Sequence, residues 1–202
     1  VEKGALVVGR GDVKIWSMLH AQQVRRVRRD VQYVDVMMLA YRWYVDQQRR
    51  LHPGFAYRHT PGRMDSLRLI LGALRRGRAV YLTGYYNRRV RTAFATYPSG
   101  PLLRVVDPNQ RMPELREILD SNRRFFRGFR RRGRIPRPSV DPWSASLREP
   151  FAATWRALGH QLHRRGARVL ARRALRQSIL WAPWLAAPRW AKTLQPRRPK
   201  LR

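Results

Sequence analysis

The chain has 202 residues, with 44 Lys+Arg against 12 Asp+Glu and a formal net charge of +32. It contains no cysteine, which excludes disulfides, thiolate metal sites and a cysteine nucleophile. No apolar run reaches the roughly 18 residues that span a bilayer; the best stretch, residues 179–188, is interrupted by Pro183 and Pro188. Hydrophobic residues nevertheless make up 44 %, so a core is available and the chain is not simply a basic tail. Like charges this dense lie within a Debye length of about 8 Å of one another and repel. A polyanion relieves that repulsion, and a nucleic acid is the simplest one. All but Lys3, Lys14, Lys192 and Lys200 of the basic residues are arginine. Arginine grips phosphate with a planar fork, although the Arg, Ala, Gly and Pro skew also follows from a GC-rich genome. The total charge therefore carries the argument, not the Arg:Lys ratio.

In chain order, residues 7–12 predict a short extended segment and a turn, with Asp12 as the N-cap of a helix. Residues 13–52 contain neither Pro nor Gly until Pro53-Gly54. Val24, Val27, Val31, Val34, Met38, Tyr41 and Val45 alternate spacings of three and four, a heptad seam that predicts one long helix packing on a neighbouring protein. Such a helix would run about 60 Å and project from a compact body. Asp65 predicts the cap of a second helix that buries Leu67, Ile70, Leu71 and Leu74 and stops at Gly77. Residues 79–83, 90–97 and 102–106 predict three strands of a small antiparallel sheet, with turns at 84–87 and 98–101.

A further helix is expected from Pro113, with Glu114 and Glu117 at its start and Arg123 and Arg124 near its end, the polarity the helix dipole favours. Residues 133–142, rich in Pro and Arg, predict an extended arm. Ser146 with Glu149 forms a capping box for a last helix whose stripe is Phe151, Trp155, Leu158, Leu162, Val169 and Leu170. The expectation is an α+β chain, mostly helical. It has an N-terminal segment and long helix (1–54), a small α/β body (55–132), and an arm, C-terminal helix and basic tail (133–202).

Candidate phosphate contacts are dispersed. Arg25, Arg26, Arg28 and Arg29 lie off the heptad seam. Arg123, Arg124, Arg127, Arg130, Arg131, Arg132 and Arg134 interleave with Phe125, Phe126 and Phe129, setting stacking faces beside phosphate grips. Phe126 fits better as a continuation of the stripe of Leu115, Leu119 and Asn122; Phe125 fits either role. Arg164, Arg165, Arg168, Arg172, Arg173 and Arg176 recur at helical spacings, and Arg197 and Arg198 mark the tail. No acid occurs anywhere in residues 151–202, unlike an ordinary solvated face.

Catalytic signatures fail. Gly9-Arg10-Gly11 begins like a dinucleotide loop, but Lys14 stands at the third glycine position and no acid is expected in a second strand. No Walker motif occurs, and His160 with His163 lacks a third metal ligand nearby in sequence. His59 and Asp65 resemble the His–acid pair of glycerolipid acyltransferases, with five intervening residues where that family has four. The chain is therefore expected not to be an enzyme, with no cofactor, no metal and no small-molecule substrate.

The mixed α/β body, long helix, arginine-rich arms and acid-free C-terminus together resemble mitochondrial ribosomal proteins as a class. Val1, not Met, at the first position suits processing on organelle import. The resemblance implies a structural role in a mitochondrial matrix ribosome, with arms on rRNA and the helix seam on neighbouring ribosomal proteins. A DNA-compacting nucleoid protein, a ribosome-assembly factor and a membrane-associated acyltransferase-like protein are the other classes the composition admits.

Overall fold

The computed structural model describes residues 1–62, 64–83, 88–130 and 142–183. The protein is α+β and about 53 % helical. The chain forms two compact units: Val1–Tyr97 with Leu103–Met112, and Pro98–Leu102 with the chain from Pro113 onward. The first boundary is carried by a β-hairpin whose tip belongs to the second unit, so neither unit is one continuous stretch.

The first unit is organised by β1 (Leu6–Gly9), a strand buried at all four positions. Such a run, apolar on both faces, suits a central parallel strand covered on both sides. β2 (Gln32–Asp35) and β3 (Val80–Thr83) flank it, both parallel, with Leu6 opposite Gln32 and Val80. β4 (Thr96–Ser99) and β5 (Leu102–Val105) complete a mixed sheet of order β2-β1-β3-β5-β4. Gly100 and Pro101 join β4 to β5, a connection short enough only for an antiparallel pair. Gly100 turns the chain at φ +59, in the left-handed region.

Helix α1 (Asp12–Leu19), continued by a π-helical turn at His20–Val24, links β1 to β2. Helices α2 (Arg42–Leu51) and α3 (Ser66–Leu74) link β2 to β3. A short α4 (Arg88–Ala93) precedes β4. The first three strands thus follow the order 2-1-3 of a doubly wound α/β unit, in which the chain reverses direction across the sheet at β1. The core gathers Leu6, Val8, Val34, Val45, Ile70 and Leu82 from strands and helices alike. Asp65 caps α3 as expected, its Oδ1 accepting from Arg68 N at 3.0 Å, and Gly77 ends the region at φ +69.

Several expectations are corrected here. No long N-terminal helix exists: residues 13–51 divide into α1, the π turn, β2, a 3-10 turn at Met38–Ala40, and α2. The chain breaks at residues 25–30, where Arg26 and Arg28 take left-handed φ values of 53 and 49. The buried Gln22 amide donates to the carbonyls of Arg28 and Val31 and closes this loop. The run from Val31 to Val36 is then buried at every position and pairs with β1. Its valines mimic a heptad because a strand buried on both faces shows no alternation. The seam is accordingly split. Val31, Val34 and Val45 are core, Met38 is half-buried, and Val24, Val27 and Tyr41 are exposed.

The sheet is mixed and five-stranded, not a small antiparallel one. Of the strand expected at 90–97, residues up to Ala93 are helical and only the end is extended. Gly11, not Asp12, is the N-cap of α1, and Leu71 is exposed instead of buried. The turn expected at 84–87 lies outside the described residues.

The second unit is helical: α5 (Leu115–Arg130), α6 (Pro142–Arg164) and α7 (Arg168–Trp181). The single last helix that the sequence predicts is a pair, α6 and α7, divided at Gly166, whose φ is +77. Gly159 permits the close approach of the two helices, since a Cβ there would stand 2.9 Å from Leu175 Cγ. Ser178 Oγ donates to the Ala152 carbonyl across the pair at 2.8 Å. Aromatic rings fill the centre: Phe126 lies 5.0 Å from Trp155, and Phe151 stacks on Trp181 at 4.8 Å. The hairpin tip is tied to α5 by the buried Asn122. Its Oδ1 accepts from Gly100 N at 2.9 Å, and its Nδ2 donates to the carbonyls of Pro98 and Ile118 at 2.8 Å each.

Candidate polyanion-binding site

The arginines of the second unit arise from helix periodicity. On α7, Ala171, Ala174, Leu175 and Ser178 are buried, which turns Arg168, Arg172, Arg173 and Arg176 outward. On α5, Ile118, Leu119, Asn122 and Phe126 are buried, leaving Arg123, Arg124 and Arg127 exposed. Arg164 and Arg165 are exposed at the end of α6. Arg123 pairs with Asp120 at 3.2 Å. No acid follows Glu149, so α7 carries none at all.

Four of these side chains, Arg123, Arg127, Arg173 and Arg176, rim a cavity of about 620 Å³. Its floor is apolar, with Phe126, Trp155 and Leu170 among the lining groups. Trp155 is only 5 % exposed, and its indole N–H is buried with no acceptor among the described residues. His160, on α6, has its pKa lowered from the usual histidine value. Burial is the main cause, and Arg156, Arg164 and His163 add to it.

Other predicted contacts are placed differently. Arg28 is committed internally: it bonds Asp30 through Nε at 2.9 Å and the carbonyls of Val1 and Glu2 at 2.9 Å each. This pairing, with Gly4 N–H, holds the Asp30 carboxyl well below the usual carboxylate range. Arg25, Arg26 and Arg29 are exposed on the same loop. Phe126 is core, whereas Phe125 is exposed on one side and packs its ring over Gly100, where a Cβ would come within 3.1 Å. Arg130 ends α5; Arg131, Arg132 and Arg134, and Arg197 and Arg198, lie outside the described residues, as does the arm expected at 133–142 except for Pro142, which begins α6.

The first unit shows what sequence reading missed. An acid does end the second strand. Asp35 accepts from Gly11 N at 2.8 Å and Met37 N at 2.8 Å, pinning the Gly9-Arg10-Gly11 loop beside it. The expectation of no such acid fell with the long helix that would have absorbed β2. Gly9 lets Tyr33 and Thr83 close over the carboxyl end of β1, a Cβ there falling 2.7 Å from Thr83 Oγ1. Thr83 Oγ1 itself is buried without a partner among the described residues. Asp35 is 2 % exposed and bonded at each oxygen by a backbone donor, so it organises the loop and is not presented to solvent.

A second cavity, about 580 Å³, lies along α1 and α2 and exposes Trp16 and Trp43 beside Arg29. Tyr44 on its wall is pushed up to about 12, first by burial. The acyltransferase-like pair is used elsewhere: His59 Nε2 lies 3.0 Å from the Ala40 carbonyl, and Asp65 caps α3. Among the described residues no cluster of three His, Cys, Asp or Glu side chains could hold a metal, and no helix is long and apolar enough to cross a membrane. No family model, curated protein or solved structure matches the chain.

Proposed function

We propose that this chain binds RNA through the arginine surface of its helical unit, as a structural component of a ribosomal particle. The observation that carries the reading is α7: Arg168, Arg172, Arg173 and Arg176 are all exposed, and the chain offers no acid from residue 150 onward to neutralise them. Guanidinium groups on a helix surface contact phosphate without reading bases, so binding spreads over many sequences. The exposed Arg123, Arg124 and Arg127 of α5 extend the same chemistry. In this reading the chain turns over no substrate, its neighbours are rRNA and other ribosomal proteins, and a mitochondrial ribosome is the setting that its composition suits. The long projecting helix no longer supports that setting; the charge and its dispersal do.

One observation favours a second reading, an anionic membrane surface. Val169 and Leu180 on α7 are 65 % and 66 % exposed among the arginines. A helix that mixes exposed apolar and basic side chains suits a lipid interface.

The full chain, tested against single-stranded RNA and against vesicles with and without anionic lipid, separates the two. The ribosomal reading expects RNA binding that weakens by at least about tenfold when Arg168, Arg172, Arg173 and Arg176 are changed to Ala. It also expects roughly one copy per particle in ribosomal fractions after a high-salt wash. Binding to anionic vesicles with none to RNA transfers the function to the membrane. RNA affinity that ignores both salt and the four arginines overturns the electrostatic account.

A further inference from the structure

We infer that the cavity between α5, α6 and α7 is a site for a phosphate monoester that carries an apolar chain. This goes beyond RNA binding and does not depend on it. Four arginines, Arg123, Arg127, Arg173 and Arg176, line one cavity, and Arg123 pairs with Asp120. Arg127, Arg173 and Arg176 have no carboxylate within ion-pair distance among the described residues. Cations held this close repel, and a dianionic phosphate is the small group that neutralises several at once through bidentate bonds.

The floor adds a different requirement. Phe126 and Trp155 are 3 % and 5 % exposed, so their ring faces are packed against protein. They are therefore not platforms for stacking bases. Together with Leu119 and Leu170 they form a greasy wall, which suits an alkyl or acyl chain better than a sugar or a base. Trp155 supplies one further polar feature: a buried N–H that lacks an acceptor among the described residues. A buried donor without a partner is costly, so the indole marks this wall as a place where the packing is not optimised for the free chain alone. At about 620 Å³ the cavity lies within the range of sites that enclose small ligands. A cationic rim above an apolar floor specifies an amphiphile with a phosphate head.

The test uses the full chain and calorimetric titration with octyl phosphate, butyl phosphate, inorganic phosphate and octyltrimethylammonium, all below micelle formation. The expected order of affinity is octyl phosphate, butyl phosphate, inorganic phosphate, with a gain of roughly threefold to fourfold for each methylene that is buried. The cationic amphiphile is expected not to bind. Changing Arg173 and Arg176 together to Ala, both exposed and outside the core, should weaken octyl phosphate by about tenfold or more. W155F, which trims the apolar wall, should weaken it severalfold while leaving RNA affinity unchanged, which keeps this site distinguishable from the RNA surface. Inorganic phosphate bound as tightly as octyl phosphate would show a free-phosphate site and overturn the amphiphile. Equal affinity for the cationic amphiphile, or octyl phosphate affinity indifferent to Arg173 and Arg176, would equally overturn the proposal.

Discussion

Asn122 shows how one side chain can hold two parts of the helical unit in register. Its amide uses three bonds, to Gly100 N and to the carbonyls of Pro98 and Ile118, all in a buried setting. N122A leaves a buried N–H and a buried carbonyl unpaired, at a cost of about 2–4 kcal/mol; urea unfolding monitored by tryptophan fluorescence measures it. N122L, which fills the volume but pairs nothing, should rescue little. His160 makes the same unit sensitive to acid. Its folded pKa is lowered by burial, then by Arg156, Arg164 and His163, while in the unfolded chain it stays near 6.5. The unfolded chain therefore takes up the proton first. Stability is full above about pH 6.5 and falls as the pH drops from there toward the lower folded value. His52, lowered by burial and then by Arg78, acts in the same direction in the first unit. The urea midpoint should fall between neutral pH and about pH 5.5, by less in H160Q; an H160Q midpoint with the same pH dependence as the parent would contradict this origin.

At the scale of the element, β2 is the instructive case. Val31 and Val34 are separated by three residues whether they lie on a helix or a strand, and only tertiary structure decides. Val34 is wholly buried against the sheet core, whereas Val24, on the same supposed seam, is 67 % exposed. V34D buries an unpaired carboxylate and should destabilise the first unit by several kcal/mol. V24D should leave its melting midpoint nearly unchanged. A continuous helix seam would make the two variants comparable, so circular dichroism melts of the pair discriminate. β1, β3, β5, the capped α3 and most of α5 are legible in the sequence, because each announces itself by a local run, a cap or a stop. β2 and α4 are not. The first loses its period when both faces are buried, and in the second Val90, which reads as a strand position, is buried from a helix, with Phe94 buried just past its end. Exposed arginines on α5 and α7 are likewise legible, since so many cations cannot all be buried. Arg28, Asp35 and Asn122 are not, because their partners lie 26, 24 and 22 residues away and only the fold brings them together.

For the whole molecule, the decisive quantity is the imbalance of charge. Among the described residues the acids Glu2, Asp30, Asp46 and Asp120 are already engaged by Arg104, Arg28, Arg42, Arg49 and Arg123. Each such pair is at least partly solvent-facing and contributes little to stability. What remains is a net charge of +32 with nothing in the chain to offset it. At low salt the Debye length is about 30 Å, so arginines on one unit repel over its whole surface; at physiological salt it shrinks to about 8 Å. Raising salt over that interval should therefore raise the thermal midpoint of the free chain, because screened repulsion outweighs the few screened ion pairs. RNA affinity should move in the opposite direction, with log affinity falling against log salt at about −0.7 for each phosphate neutralised on a single strand. Replacing the four exposed arginines of α7 by Ala should flatten that slope by about 3, if each contacts one phosphate. The same replacement should also reduce the gain in midpoint with salt, since it removes part of the self-repulsion. Opposed salt dependences of stability and affinity, both diminished by one set of substitutions, tie the arginine surface to the partner it needs. A midpoint that instead falls with salt would mean that internal ion pairs dominate the free chain, and that its excess charge does not call for a polyanion.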